Sequence, residues 1–506
     1  MKLTLAWLKD HLETGADAAT VAARLTALGL EVESVEDRAA ALAPFTVAYV
    51  KEASKHPNAD KLSVCLVDTG RETVQVVCGA PNARTGMKGV FAPAGTHIPG
   101  TGIDLKKGVI RGVESNGMLV SLREMGLGED HDGIIELPDD APVGAPFAHV
   151  LGLDDPVLDV AITPDRADCL GVHGIARDLA AAGLGRLKRP DIAPVAGGFD
   201  SPVKWRRDFP EGQGDACPLV VGRYFRNVKN GPSPKWLQDR LAAIGLRPIS
   251  ALVDITNYVT FDLGRPLHVF DARKLKGDLV MRFARPGEMI HALDGKVYEL
   301  DATMTVIADA AQVHGIGGIM GGEVSGCTAG TTEVFLEVAL FDPIRTAQSG
   351  RKLAIESDAR HRFERGLDPE SAIWGAEVAA RLIRKLCGGE VSRTVRAGAM
   401  PDWRRKLGLR PSRVGALGGL EVAAEESAQI LASLGFAVDA QGRKITAEPP
   451  SWRADVEGEA DLVEEVLRIK GYDAIPAQPL PLPGALPEAA VTPAQKRAGR
   501  AKRTLA

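Results

Sequence analysis

Apolar positions at the start of the chain follow a helical period and then an alternating one. Val21, Leu25 and Leu28 share one helix face, Gly29 reads as a helix stop, and residues 30–35 (Leu-Glu-Val-Glu-Ser-Val) alternate like a strand. The same phrase returns at Leu431, Leu434, Gly435, Phe436 and Val438, so two small modules of related design are expected to bracket the middle of the chain. Between residues 40 and 149 the pattern changes to short strand-like runs at 46–50, 62–67, 74–77, 90–94 and 109–113. Residues 68–73 (Asp-Thr-Gly-Arg-Glu-Thr) read as a hairpin connection. Five short strands in about a hundred residues suit a small closed barrel of the OB type. From 201 to 400 helical stretches alternate with apolar strands at 219–221, 279–283, 304–308 and 334–338, with a glycine-rich turn at 315–322 between the last two. Near the end, Leu462, Val466 and Ile469 recur at helical spacing. Asp461, Glu464 and Glu465 then share another face of that helix.

Composition narrows the class. The chain has 506 residues, which at roughly 100–200 residues per domain implies several domains. Net charge is −5, so any contact with nucleic acid must come from local patches. The six cysteines are scattered with no C-x-x-C pair, which argues for a reducing compartment and against a structural zinc. The first residues (MKLTLAWLKDHLETG) do not read as a signal peptide, because Lys9, Asp10 and His11 interrupt the apolar run. No stretch approaches the ~18 apolar residues of a membrane span. A cytoplasmic location is the expectation. The turn at 315–322 is not a dinucleotide fingerprint, since Met320 stands where the third glycine would fall. No phosphate-loop, H-e-x-x-H or G-x-S-x-G motif occurs.

Carboxylates at Asp455, Asp461, Glu464 and Glu465 surround the start of the last amphipathic helix. Such a group suits a hard cation such as Mg²⁺. Acids in a first helical turn also complement the helix dipole without binding anything. Eight cations of the strand-rich region, Lys51, Lys55, Lys61, Arg84, Lys88, Lys106, Lys107 and Arg111, are available to phosphate, though Glu52, Asp60 and Asp104 are interleaved with them.

The strings PSWRADVEGEADLVEEVLRIKGYDAIP and SPKWLQDRLAAIGLRPISALVDITNYVTFDLGRPLHVFD resemble the beta subunit of bacterial phenylalanyl-tRNA synthetase (phenylalanine–tRNA ligase). The resemblance runs from Met1 to about Pro476. It implies an α+β multidomain chain. A split N-terminal α/β module comprises 1–39 plus 150–200, and an OB-fold tRNA-binding barrel at 40–149 is inserted in it. A large α+β editing domain covers 201–400. A small metal-binding helix-strand module covers 401–476, and 477–506 is linker and the start of a C-terminal part the chain is expected to lack. The family places Asn where Asp165 stands and Thr where Ser357 stands.

The implied function is a beta subunit that binds phenylalanine tRNA, supports the alpha subunit in ATP-dependent attachment of phenylalanine, and hydrolyses mischarged tyrosyl-tRNA. Partners are the alpha subunit, in a heterotetramer of two alpha and two beta chains, and the tRNA. ATP is a substrate at the alpha subunit, and one Mg²⁺ sits near the alpha contact on Asp455, Asp461, Glu464 and Glu465. The implied editing residues are His268, orienting the ester or a water, and Glu337, facing the tyrosine hydroxyl. Thr256, Asn257, Gly321, Ser357 and Ala359 complete the pocket. Each has a plainer alternative: a structural histidine, an ion-paired glutamate, a tight turn at Gly321. Glu337 lies in an apolar strand, so a partner for its carboxylate is expected. The functional alternatives are a truncated, non-catalytic tRNA-binding module and an assembly scaffold.

Overall fold

The computed structural model describes residues 1–128, 130–440, 444–477 and 490–506, with nothing described of the Arg38 side chain. Of the expected terminal linker, 478–489 lie outside the described residues, while Pro493–Leu505 forms a helix that buries none of its residues. The chain is a mixed α+β assembly. Among the described residues no helix is long and apolar enough to cross a membrane.

At the N-terminus, helices Leu5–His11 and Ala18–Ala27 bury Trp7, Leu8, Val21 and Leu25. The second helix stops at Gly29, whose φ of +85° admits the left-handed cap. The Leu30 amide returns to the Leu25 carbonyl at 2.9 Å and closes that cap. Strand Val157–Val160 lies between Lys2–Thr4 and Val32–Glu36, so the chain beyond residue 150 returns to its own beginning.

The intervening strands pair in the order Gly117–Leu119, Lys88–Pro93, Thr46–Lys55, Ser63–Asp68, Thr73–Cys78. The hairpin at 68–73 forms, with Asp68 opposite Thr73. The strand expected at 109–113 does not. Arg111 and Gly112 both take positive φ, 50° and 86°, and two consecutive left-handed residues make a tight hairpin turn. Gly108–Ile110 therefore pairs with Val113–Ser115 as a separate two-stranded ribbon that leaves Val109 exposed. The neighbour of Lys88–Pro93 is instead Gly117–Leu119, which runs at a glycine because a side chain at 117 would strike the Phe91 ring.

The central region holds two sheets. In the first, Glu333–Ala339 lies between His268–Asp271 and Leu219–Arg226, and alternation sorts its residues. Val334, Leu336 and Val338 pack against helices Ala251–Leu263 and Ser371–Cys387. Phe335 and Ala339 turn the other way, onto the second sheet, where Trp205, Leu279, Met281 and Ile307 meet them. That second sheet runs Trp205–Asp208, Leu279–Phe283, Thr305–Ala308, Val313–Ile316, Met320–Gly321.

The last module stacks helices Pro411–Gly418, Ala424–Ser433 and Glu459–Lys470 on a three-stranded sheet around Leu431, Phe436, Val456 and Val466. The repeated phrase gives the same device as at the N-terminus. Gly435 has φ +93°, and the Phe436 amide returns to the Leu431 carbonyl at 3.1 Å.

Candidate functional site

Glu337 falls at the same parity as Phe335 and Ala339, so its carboxylate enters the space between the two sheets. His268 is its direct cross-strand neighbour, which brings the two side chains to within about 5 Å at their β-carbons on one sheet face. They stand side by side rather than on opposite sides of a bound aminoacyl end, because a direct antiparallel pair cannot straddle a ligand. On the other flank Glu337 faces Gly222. A β-carbon there would lie 2.3 Å from Trp205 Nε1, so the absence of a side chain admits the indole edge beside Glu337.

The carboxyl is buried, and burial pushes its pKa up to about 7 against the pull of Arg265. Among the described residues Glu337 has no hydrogen-bond or ion-pair partner. The ion pair that was the plainer alternative for Glu337 does not form: Arg265 donates its guanidinium to the Ala339 carbonyl and acts on Glu337 only at longer range. Burial, with His314 nearby, lowers His268 to about 4, so its ring is neutral at pH 7. Three buried nitrogens around the pair lack partners: His268 Nε2, Trp205 Nε1 and Arg265 Nε. Buried polar atoms are usually satisfied, and a neutral imidazole beside a carboxyl poised near neutrality can give or take a proton at the hydroxyl of a bound molecule. Trp205, Gly222 and Arg265 carry no local sequence signal for this role; only the packing of the second sheet brings them in.

Gly321 closes over His268. A β-carbon at 321 would lie 2.5 Å from His268 Cε1, so only glycine leaves room for that imidazole. Ser357 caps helix Asp358–Phe363 and donates to the Ile319 carbonyl at 2.6 Å, tying this helix to the turn that presents Gly321. Ala359 packs at the edge of the inter-sheet core. Thr256 and Asn257 sit on helix Ala251–Leu263, which covers the opposite face of the first sheet. Thr256 Oγ1 donates to its own helix at the Val253 carbonyl, 2.7 Å. Neither residue hydrogen-bonds to Glu337 or His268 among the described residues.

The carboxylates of the last module do not gather as expected. Asp461 accepts the Glu457 and Gly458 amides at 2.8 Å each and caps its helix. Arg453 holds Asp455 at 2.6 Å and Glu465 at 2.5 Å. Arg468 holds Glu465 at 2.6 Å and Asp178 of the N-terminal module at 2.7 Å. Glu464 is exposed, and its carboxyl is raised by partial desolvation and by Glu465 and Asp165. With two of the four acids neutralised by guanidinium groups and a third spent on a cap, these residues as arranged do not fit a magnesium ion. Among the described residues, the group that meets metal-ligand distances is Asp168, Cys169 and Asp178. Arg166 already bonds to all three, filling the place of a cation with its own charge.

In the strand-rich region Lys51 pairs with Asp68, Lys55 with Asp60, Arg84 with Glu136, and Lys88 donates to backbone carbonyls. Lys61, Lys106, Lys107 and Arg111 are exposed without ion pairs among the described residues. His56 and Asn58 hydrogen-bond to the Ile110 and Arg111 carbonyls, so the ribbon carrying Arg111 is docked on the loop that leads to Lys61.

Residues 45–146 match the putative tRNA binding domain family, 216–388 the B3/4 domain, and 407–472 the tRNA synthetase B5 domain. The whole chain is 58% identical over 508 residues to the phenylalanine–tRNA ligase beta subunit of Rhodospirillum rubrum and 56% identical over 506 residues to that of Paramagnetospirillum magneticum. It covers 63% of the length of each. Among solved structures, an N-terminal fragment of the phenylalanyl-tRNA synthetase beta subunit from Pyrococcus horikoshii matches at 15% identity with a TM-score of 0.34, over 63% of this chain and 88% of that one.

Proposed function

We propose, from similarity along its whole length to phenylalanine–tRNA ligase beta subunits of which it spans about 63%, that this chain is such a subunit, that it binds phenylalanine tRNA and that it hydrolyses tyrosine misattached to it. The strand-rich region is read as an OB-fold tRNA-binding barrel, with Lys61, Lys106, Lys107 and Arg111 as its phosphate contacts. Attachment of phenylalanine itself, with ATP, is the work of an alpha subunit that this chain supports, in a heterotetramer of two alpha and two beta chains in the cytoplasm. No step is assigned to magnesium.

The observation that carries the editing reading is the Glu337 carboxyl, buried without a partner and poised near neutrality beside a neutral His268. A synthetic pocket shaped for an apolar ring rejects the same ring bearing one hydroxyl by only about 10²-fold. A second site built to hydrogen-bond that hydroxyl discriminates more strongly, since its buried polar groups stay unpaired with the wrong ligand. Glu337 and His268 supply those groups side by side, Phe270 packs T-shaped against His268 with ring centroids 4.5 Å apart, and Phe335 lies across from Phe270 on the neighbouring strand. Fixing the ring by its hydroxyl positions the ester for attack by a held water.

The chain is expected to hydrolyse tyrosyl-tRNA much faster than phenylalanyl-tRNA, and Glu337→Ala to bring the two rates together, a loss of at least about ten-fold on the tyrosyl ester. Equal hydrolysis of both esters by the unsubstituted chain would defeat this assignment. Tight, salt-sensitive tRNA binding without hydrolysis would leave only the binding role.

A further inference from the structure

A cavity of about 870 Å³ lies where the N-terminal module, the central domain and the last module meet, and neither Glu337 nor His268 lines it. Its volume is in the range of small-molecule sites, roughly 300–1,000 Å³. His173 and Arg177 reach it from one face of helix Val172–Ala181, a single turn apart. Trp374 enters from helix Ser371–Cys387, Asp368 from the loop before it, and Ser451 and Trp452 from the last module.

Three features define what would fit. First, polar atoms are left over: His173 Nε2 and Arg177 Nε are buried without partners. Second, the walls offer indole rings, and the Arg177 guanidinium is already spent on one of them, 4.2 Å above Trp452. Third, the interior charges cancel. Arg177 lies 4.0 Å from Asp168, and burial raises the Asp368 carboxyl above its ordinary range against the Ser451 hydrogen bond and the pull of Arg177 and Arg265. Burial and nearby Arg177 keep His173 neutral. Of the arginines that line it, Arg177 is held by Asp168 and Trp452, Arg186 pairs with Glu13, and Arg189 is exposed to solvent, so a carboxylate or phosphate ligand would find no uncommitted cation in the buried part, and a zwitterionic amino acid would have to break the Arg177–Asp168 contact. A flat neutral ring carrying both donors and acceptors on its edge meets the indole, the carboxyl of Asp368 and the unpartnered nitrogens of the buried part.

We propose that this cavity is a nucleobase site, in which the ring lies against the Trp374 indole and its edge hydrogen-bonds to Asp368 and His173 Nε2. The base could belong to a free nucleoside or to an unpaired nucleotide of an RNA; the ring chemistry is the same.

Calorimetric titration of the full chain with guanosine, adenosine and uridine tests this, with L-phenylalanine as the competing chemistry. At least one nucleoside is expected to bind saturably at one per chain and to raise the melting temperature, while L-phenylalanine does neither. Trp374→Leu and Asp368→Asn should each weaken that nucleoside by about ten-fold or more, the loss of a stacking face or an edge contact, with melting temperatures near that of the parent. His268→Ala should leave it unchanged, which separates this site from the deacylation pair. A single-stranded oligonucleotide that displaces the nucleoside assigns the base to RNA; failure to displace assigns it to a free nucleoside. The proposal is overturned if no nucleoside binds the parent chain at millimolar concentration, if L-phenylalanine binds there in preference, or if binding survives both substitutions.

Discussion

Glu337 shows how one residue's meaning depends on parity. The run Glu333–Ala339 alternates between a helix-covered face and a face opposed by a second sheet, and the carboxylate falls on the latter. Its burial has a cost that depends on pH. Unfolded, the group titrates near 4.3; folded, it titrates near 7. Between those values the folded chain binds the extra proton, so this group's contribution to stability falls as pH rises from about 4.3 to 7 and is constant above. Glu337→Gln removes that dependence. The variant should match the parent near pH 4.3 and exceed it at pH 8 by on the order of 1–3 kcal/mol, seen as a higher melting temperature at the alkaline end only. A variant less stable than the parent at pH 8 would mean that the carboxylate has a stabilising partner. The need for a buried polar group was legible from an acid in an apolar run. Its neighbours were not, because Trp205 and Arg265 are remote in sequence from it and meet it only across sheets.

Elements reproduce local rules wherever the rule is local. The phrase that ends in Gly29 and returns at Gly435 builds the same left-handed cap twice, with the same amide-to-carbonyl closure. The ribbon at 108–115 shows the opposite. Its apolar residues read as a barrel strand, but Arg111-Gly112 folds them back on themselves, and turn chemistry overrides the apolar pattern. The helix Glu459–Lys470 distinguishes a cap from a ligand. Asp461→Ala should cost about 1 kcal/mol, the usual worth of an N-terminal cap. Adding Mg²⁺ or EDTA should leave the melting temperature of the chain unmoved, in parent and variant alike. A metal-dependent melting temperature would show that the acids leave their arginines for an ion.

At the scale of the whole molecule, the N-terminal and last modules are joined by a buried chain of charges: Asp168, Arg166, Asp178, Arg468, Glu465, Arg453 and Asp455. Each internal member neutralises neighbours on both sides, which is why none is free for a cation. Removing one leaves an opposite charge buried and unmatched, at about 3–5 kcal/mol. Arg468→Met should therefore lower the melting temperature sharply and expose the junction to limited proteolysis. A small change with unaltered cleavage would mean that Asp178 and Glu465 are reached by water. Glycines mark the same closeness of packing. A β-carbon at Gly171 would sit 2.2 Å from the Gly264 amide nitrogen, where the N-terminal module abuts the central domain.

The sequence by itself determined the parts that depend on neighbours along the chain: helix faces, glycine caps, the 68–73 hairpin, and the presence of an acid in an apolar strand. It named His268, Glu337 and Gly321, and the tertiary structure set those three against one another. Only that structure decided that Asp455, Asp461 and Glu465 serve ion pairs and a cap, and that Thr256 and Asn257 lie on the far layer. The physical reason is that a carboxylate's role is fixed by the nearest opposite charge or donor in space, and here those partners, Arg468 with Asp178 above all, come from segments 290 residues apart.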